Sequence, residues 1–212
     1  MQSWDIPYLM SQEPKQSASG SGKLVLLIGP SGVGKSVILK KLRAKHPELH
    51  FPKSATTRPR RPGEGDEIYH FVTDSEMDGL INGNKALEWA VVHGGARYAT
   101  LVDEILPPIE QGKTVVREVD VQGFDSIRGD ARFTGANAPY RLRTIFLLPE
   151  SKEQLLAHIE KRAPMTKDEL AKRMESMEKE LSYAALCDEK IVNPEGKLEE
   201  TFGKIEQLIL AA

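Results

Sequence analysis

The chain has 212 residues, 40% of them hydrophobic and 28% charged, with a formal net charge of −2 and a mean hydropathy of −0.39. That length allows one packed domain with small insertions. The near-zero charge excludes bulk attraction to nucleic acid or an anionic membrane, and no apolar run nears the roughly 18 residues a bilayer span requires.

Residues 1–22 read as a flexible tail in front of a domain spanning 23–212. Met1 to Met10 carries Asp5 and Pro7 and lacks the basic start and apolar core of a secretory signal. Residues 11–22 are polar and low in complexity, and Trp4 and Tyr8 read as loose terminal aromatics. With no targeting signal, the expected location is the cytoplasm. The one cysteine, Cys187, excludes an internal disulfide and reads as a small buried hydrophobe in a reducing compartment.

The first strand is predicted at Leu24-Val25-Leu26-Leu27-Ile28, and a helix is predicted over Val37–Leu42. Between them, Gly29-Pro30-Ser31-Gly32-Val33-Gly34-Lys35-Ser36 fits G-x-x-x-x-G-K-[ST] at every fixed position. Glycines let the backbone wrap a phosphate so that its N–H groups and the helix N-terminus face the anion. Lys35 then supplies a charge to the β- and γ-phosphates and the Ser36 hydroxyl a ligand for Mg²⁺. The pattern implies a bound nucleoside triphosphate.

Residues 54–111 interrupt the alternation of strands and helices. They hold short strand candidates at Ile68–Val72 and Ala86–Val92, a capping box at Thr73 and Glu76, and a break at Pro107-Pro108. Such an insertion is expected over the ligand crevice, at the carboxyl ends of the core strands. Further core strands are predicted at Lys113–Val119, Thr144–Leu148 and Lys190–Asn193. Residues 152–175 read as a hinged helical lid with capping boxes at Ser151/Gln154 and Thr166/Glu169. Leu170, Met174, Met177 and Leu181 form one apolar stripe, and Leu198, Phe202, Ile205 and Ile209 another, both expected to face the core. The fold implied is a three-layer α/β/α domain with a parallel core sheet.

Two clusters sharpen the chemistry. In Ser54-Ala55-Thr56-Thr57-Arg58-Pro59-Arg60-Arg61-Pro62-Gly63-Glu64, three arginines in four positions are stiffened by prolines, which suits bidentate phosphate contacts. Glu118 and Asp120 end a core strand two residues apart, on one face by the period of a strand. Arg128, Arg132, Arg141 and Arg143 in 128–143 read either as a basic surface loop or as an oligomer contact.

Over residues 24–210 the chain resembles the guanylate kinase family. The P-loop, the S-x-T-T-R-x-x-R-x-G-E segment, Leu87-Glu88-Trp89-Ala90, Asp120-Val121-Gln122-Gly123 and Ile191-Val192-Asn193 occur in family order. The resemblance implies phosphoryl transfer from Mg·ATP to GMP. By it, Ser54, Arg58, Arg61, Tyr69 and Tyr98 serve the GMP phosphate, Glu88, Thr100 and Asp120 serve GMP at its base, and Asn193 meets the adenine of ATP. Lys35, Arg61 and the lid residues Arg162 and Arg173 act on the transferring group, while Ser36 and Glu118 serve the metal. Glu118 stands where the family usually has Asp, Thr100 replaces a serine, and His158 stands in place of a further lid arginine. A carboxylate at Glu88 accepts guanine's adjacent N1–H and N2–H donors, a pair adenine does not present. Neither nucleic acid nor membrane is implied as a partner, and the chain is read as a monomer or homo-oligomer. Two other readings stand beside this one: a kinase for another nucleotide or a sugar phosphate, and a non-catalytic interaction module on the same fold. The intact Gly34-Lys35-Ser36 argues against the second.

Overall fold

The computed structural model describes residues 22–91, 95–160 and 167–211, without the side chains of 159–160 and 167–173. The elements run β1 (Lys23–Ile28), α1 (Lys35–Lys45), β2 (Ser54–Thr56), β3 (Tyr69–Phe71), α2 (Asp74–Asn82), β4 (Ala86–Val91), β5 (Arg97–Leu101) and α3 (Val102–Glu110). They continue with β6 (Thr114–Glu118), α4 (Val121–Arg128), β7 (Arg141–Pro149), α5 (Lys152–Glu160), α6 (Lys167–Ser182), a 3₁₀ turn (Tyr183–Leu186), β8 (Glu189–Asn193) and α7 (Leu198–Leu210).

Four strands form a wholly parallel sheet in the order β6-β1-β7-β8, at the four places the apolar runs predict. Every residue of β1 is buried, as a central parallel strand covered on both faces must be. Its side chains divide by parity. Leu24, Leu26 and Ile28 join Ile105 and Ile109 of α3 and Phe124 and Ile127 of α4, while Val25 and Leu27 join Ile38 and Leu42 of α1 and Phe202, Ile205 and Ile209 of α7. Two cores on opposite faces of one sheet make the three-layer α/β/α architecture that the alternation implies.

A second sheet, β3-β2-β5-β4, is drawn from residues 54–101 and is mixed. β2 runs parallel to β3 and antiparallel to β5, and β4 runs antiparallel to β5. Strands β2 and β5 carry no alternating pattern long enough to announce them. Thr73 caps α2 through a complete capping box with Glu76, as predicted.

Pro107 and Pro108 do not break the chain, because both lie inside α3. A proline in a helix interior costs about 3 kcal/mol or more. The burial of Ile105 and Ile109, at about 1.5–3 kcal/mol each, together with the buried ring of Pro108, offsets much of the cost of the two prolines. Met174 also departs from expectation. It is 42% exposed, whereas Met177 of the same stripe is buried and Leu181 packs on both cores. The Thr166/Glu169 box and the side chain of Leu170 lie outside the described residues. At Ser151 the box is half formed: the hydroxyl accepts from Gln154 N–H at 3.1 Å, but the Gln154 carbonyl accepts from Glu150 N–H instead.

The 128–143 segment packs on its own domain. Phe133 is buried beside Tyr140, whose hydroxyl donates to Glu110 at 2.6 Å. Arg132 pairs with Asp130, and Arg143, already in β7, pairs with Glu189 at 3.2 Å. Cys187 is buried, and burial pushes its thiol up to about 11. Among the described residues no helix is long and apolar enough to cross a membrane.

Candidate active site

Strand β1 ends at Ile28 and α1 begins at Lys35, so the glycine-rich loop between them lies at the carboxyl edge of the sheet. Gly29, Gly32 and Gly34 all hold positive φ. At Gly29 a side chain would also stand 2.4 Å from the Leu147 carbonyl, so both conformation and space demand glycine. The buried Lys35 donates from Nζ to the carbonyls of Gly29 and Pro30 at 2.5 and 3.1 Å. Ser36 Oγ donates to Glu118 Oε2 at 3.2 Å, and Lys35 Nζ lies 3.9 Å from Glu118 Oε1. The longer carboxylate at 118 therefore reaches the loop serine. Gly29, Ser31, Gly32, Gly34, Lys35, Ser36, Glu118 and Asp120 line one cavity of about 270 Å³.

Asp120 reaches this cavity by a route that strand parity did not foresee. β6 stops at Glu118, and Asp120 is the N-cap of α4, accepting from Gly123 N–H at 2.8 Å. Asn193, at the end of β8, donates to the carbonyl of Val33 at 2.9 Å and leaves its Oδ1 buried without a partner. Glu180 of α6, which the sequence reading missed, also lines this cavity and accepts from Ser31 N–H at 3.2 Å.

A second cavity, of about 310 Å³, is lined by Ser54, Tyr69, Tyr98, Arg117 and, in common with the first, Ser36 and Glu118. The arginine loop after β2 is held from within. Glu64 accepts from both terminal nitrogens of Arg58 at 2.7 and 3.0 Å and from Arg61 N–H at 3.0 Å. The Arg58 guanidinium holds the Glu64 carboxyl down at about 2. Arg58 Nε donates to the Tyr98 hydroxyl at 3.1 Å and lies over the rings of Tyr69 and Phe71. Thr57 ties the loop to β5: its N–H donates to the Arg97 carbonyl and its hydroxyl accepts from Arg97 N–H, each at 3.0 Å. Arg61 itself is exposed and lines neither cavity.

Beyond this loop lies the pair Glu88–Thr100. A bulge in β4 between Ala86 and Glu88 sets Glu88 directly opposite Thr100, whose buried hydroxyl donates to Glu88 Oε1. Bulges re-aim side chains, and no sequence signal marks this one. Burial raises the Glu88 pKa against the opposing effects of Thr100 and Arg117. Gly123 of α4 leaves the space this carboxylate fills, since an added Cβ would stand 3.2 Å from Glu88 Cδ.

In α5, His158 Nε2 pairs with Glu195 Oε2 at 2.8 Å, fastening α5 to the turn after β8. Arg162 lies outside the described residues, as does the side chain of Arg173 in α6.

A P-loop at the edge of a parallel sheet, facing an arginine-bearing second sheet across adjoining cavities, is the architecture of a P-loop nucleoside monophosphate kinase. The guanylate kinase family model matches residues 21–212. The guanylate kinase of Nocardia farcinica is 40% identical over 190 residues, covering 89% of this chain and 92% of that protein. That of a Synechococcus strain is 36% identical over 202 residues, covering 95% and 88%. The crystal structure of guanylate kinase from Anaplasma phagocytophilum has the same fold, with a TM-score of 0.65 at 23% identity over 91% of this chain and 87% of that one. The chain belongs to the guanylate kinase family, the ATP:GMP phosphotransferases.

Proposed function

We propose that this chain converts Mg·ATP and GMP into ADP and GDP, with ATP in the P-loop cavity and GMP in the second. The observation that carries the reading is that the two cavities share Ser36 and Glu118, so phosphates held in each meet without crossing the protein. Nothing needs to be bonded covalently to the protein. In-line transfer requires placement, a high density of positive charge and exclusion of water.

On this reading Lys35 leaves its carbonyl partners to follow the β- and γ-phosphates, and the N–H groups of residues 29–36 cradle them. Arg58 is already aligned by Glu64 and Tyr98, and with Arg61, Ser54 and Tyr69 it grips the GMP phosphate. Glu88 turns the oxygen not engaged by Thr100 toward guanine N1–H and N2–H, and Asp120, at the wall of the P-loop cavity but near enough for its charge to act on Glu88, serves the base from that side. Asn193 serves the adenine, and Arg162 and Arg173 bring further charge from the lid, which spans 152–175. The subdomain over 54–111 carries the GMP contacts.

The residues present fit a Mg²⁺ ion. Ser36 and Glu118 offer hard oxygen donors 3.2 Å apart at the shared wall. No group of three or more His, Cys, Asp or Glu that could hold a metal occurs among the described residues, which suits an ion held mainly by phosphates and water. When bound, Mg²⁺ neutralises charge on the β- and γ-oxygens.

The test is ADP formation from Mg·ATP with GMP, dGMP, AMP, CMP and UMP in turn, against a control without acceptor. ADP matched by GDP with GMP alone is the expected result, and turnover only with another acceptor would overturn the assignment of Glu88.

A further inference from the structure

Arg117 stands in an unusual place. Its strand reads Thr114-Val115-Val116-Arg117-Glu118, with Val115 and Val116 buried in opposite cores, and Val119 beyond it is buried as well. A guanidinium within such a run costs stability unless something compensates it. Among the described residues none forms a hydrogen bond or close ion pair with it, and its Nε is buried without a partner. The charges acting on it from a distance are those of Glu88, Glu118 and Glu104. It lines the same cavity as Ser54, Tyr69 and Tyr98, entering from the core sheet, and the cavity's other arginine is Arg43 of α1.

We propose that Arg117 is a further substrate-binding residue, which takes the phosphate of the acceptor nucleotide from the core-sheet side. The inference rests on the reading of this cavity as the GMP site. Three features point to an anion. The guanidinium has donors to spare, its cavity neighbours are hydroxyls suited to phosphate oxygens, and the cavity adjoins the P-loop at Ser36 and Glu118. A planar fork reaching in from the core sheet meets the phosphate from the side opposite the hydroxyls of Tyr69 and Tyr98 on the second sheet. It thereby fixes the direction from which the γ-phosphoryl group is met.

The alternative is a counter-charge that only steadies Glu88 and Glu118, and the test separates the two. Equilibrium binding of GMP and of guanosine, which lacks the phosphate, is measured by calorimetry on the full chain, wild type against Arg117→Met and Arg117→Lys. A lost charge-assisted contact to phosphate predicts a GMP Kd raised about 10- to 100-fold in Arg117→Met. Guanosine affinity should be unchanged, and Arg117→Lys should recover part of the GMP loss. In the wild type, the Arg117 Nε–H resonance should shift on adding GMP but not guanosine, a readout that survives even if Arg117→Met does not fold. Wild-type GMP affinity in Arg117→Met, equal losses for GMP and guanosine, or an Nε–H signal indifferent to GMP would each overturn the proposal. Failure of the wild type to bind GMP would overturn the reading of the cavity itself.

Discussion

Replacing Glu88 by Gln keeps the shape of the side chain but exchanges one acceptor for a donor. In the structure Oε1 already accepts from the Thr100 hydroxyl, which leaves Oε2 and the remaining lone pair for guanine's two N–H groups. A glutamine can satisfy one of them and must turn an NH₂ toward the other. Loss of one charge-assisted bond costs about 1.5–3 kcal/mol, and weakening the second from charged to neutral costs about 1 more. The sum, about 2.5–4 kcal/mol, is a drop of about 70- to 1000-fold in kcat/KM for GMP. AMP, which offers no such donor pair, should be nearly unaffected, so the GMP-to-AMP preference falls with it.

The same residue sets a pH dependence. Only the ionised carboxyl accepts both donors, and burial raises its pKa, so GMP affinity should decline on the acid side earlier than an ordinary carboxylate would allow. Glu88→Gln should be flat there. Stability has the opposite sign. A raised carboxyl pKa means the folded state binds the proton more tightly, so Glu88 lowers stability as pH rises above its unfolded value. At pH 7 Glu88→Gln should therefore melt above the wild type. The assay is coupled ADP release with GMP and AMP from pH 5 to 8, beside thermal denaturation. An unchanged GMP-to-AMP ratio would refute the assignment.

Lys35→Ala should lower kcat about 100- to 1000-fold, as loss of a charge at the transferring group does, while GMP affinity by calorimetry stays near wild type. A large loss of GMP binding would contradict the division between the cavities. Gly123→Ala should raise KM for GMP and leave KM for ATP alone, because the new Cβ would press on Glu88 at 3.2 Å; equal changes in both would place its effect elsewhere. Thr73→Ala, which removes the α2 cap far from the P-loop, should cost about 1 kcal/mol in denaturant unfolding with kcat unchanged.

Much of this was legible in the chain because the responsible forces are local. The runs at 24–28, 113–119, 144–148 and 190–193 each produced a core strand; the first is buried throughout and needs no partner to identify it, whereas the last is a half-exposed edge strand. The loop from Gly29 to Ser36 carries its geometry in its own glycines. The capping box at Thr73 and Glu76 closes within four residues. Pro107-Pro108 misled because the packing that outweighs a helix breaker comes from β1 and β6, outside the window in which prolines are read. Strand parity puts Asp120 at the end of β6 beside Glu118, but β6 stops at Glu118 and Asp120 is the cap of α4.

The sequence by itself determined that phosphate chemistry is done here, because wrapping an anion needs only contiguous glycines, a lysine and a hydroxyl. Tertiary structure alone decided which residues meet across the chain. A bulge set Glu88 against Thr100, Gly123 of α4 left room for it, and Arg117, the last cation before the end of β6, entered the same cavity as Tyr69 and Tyr98. Such juxtapositions depend on the packing of two sheets and the helices between them, and a pattern read along one strand carries no trace of the neighbour that will face it.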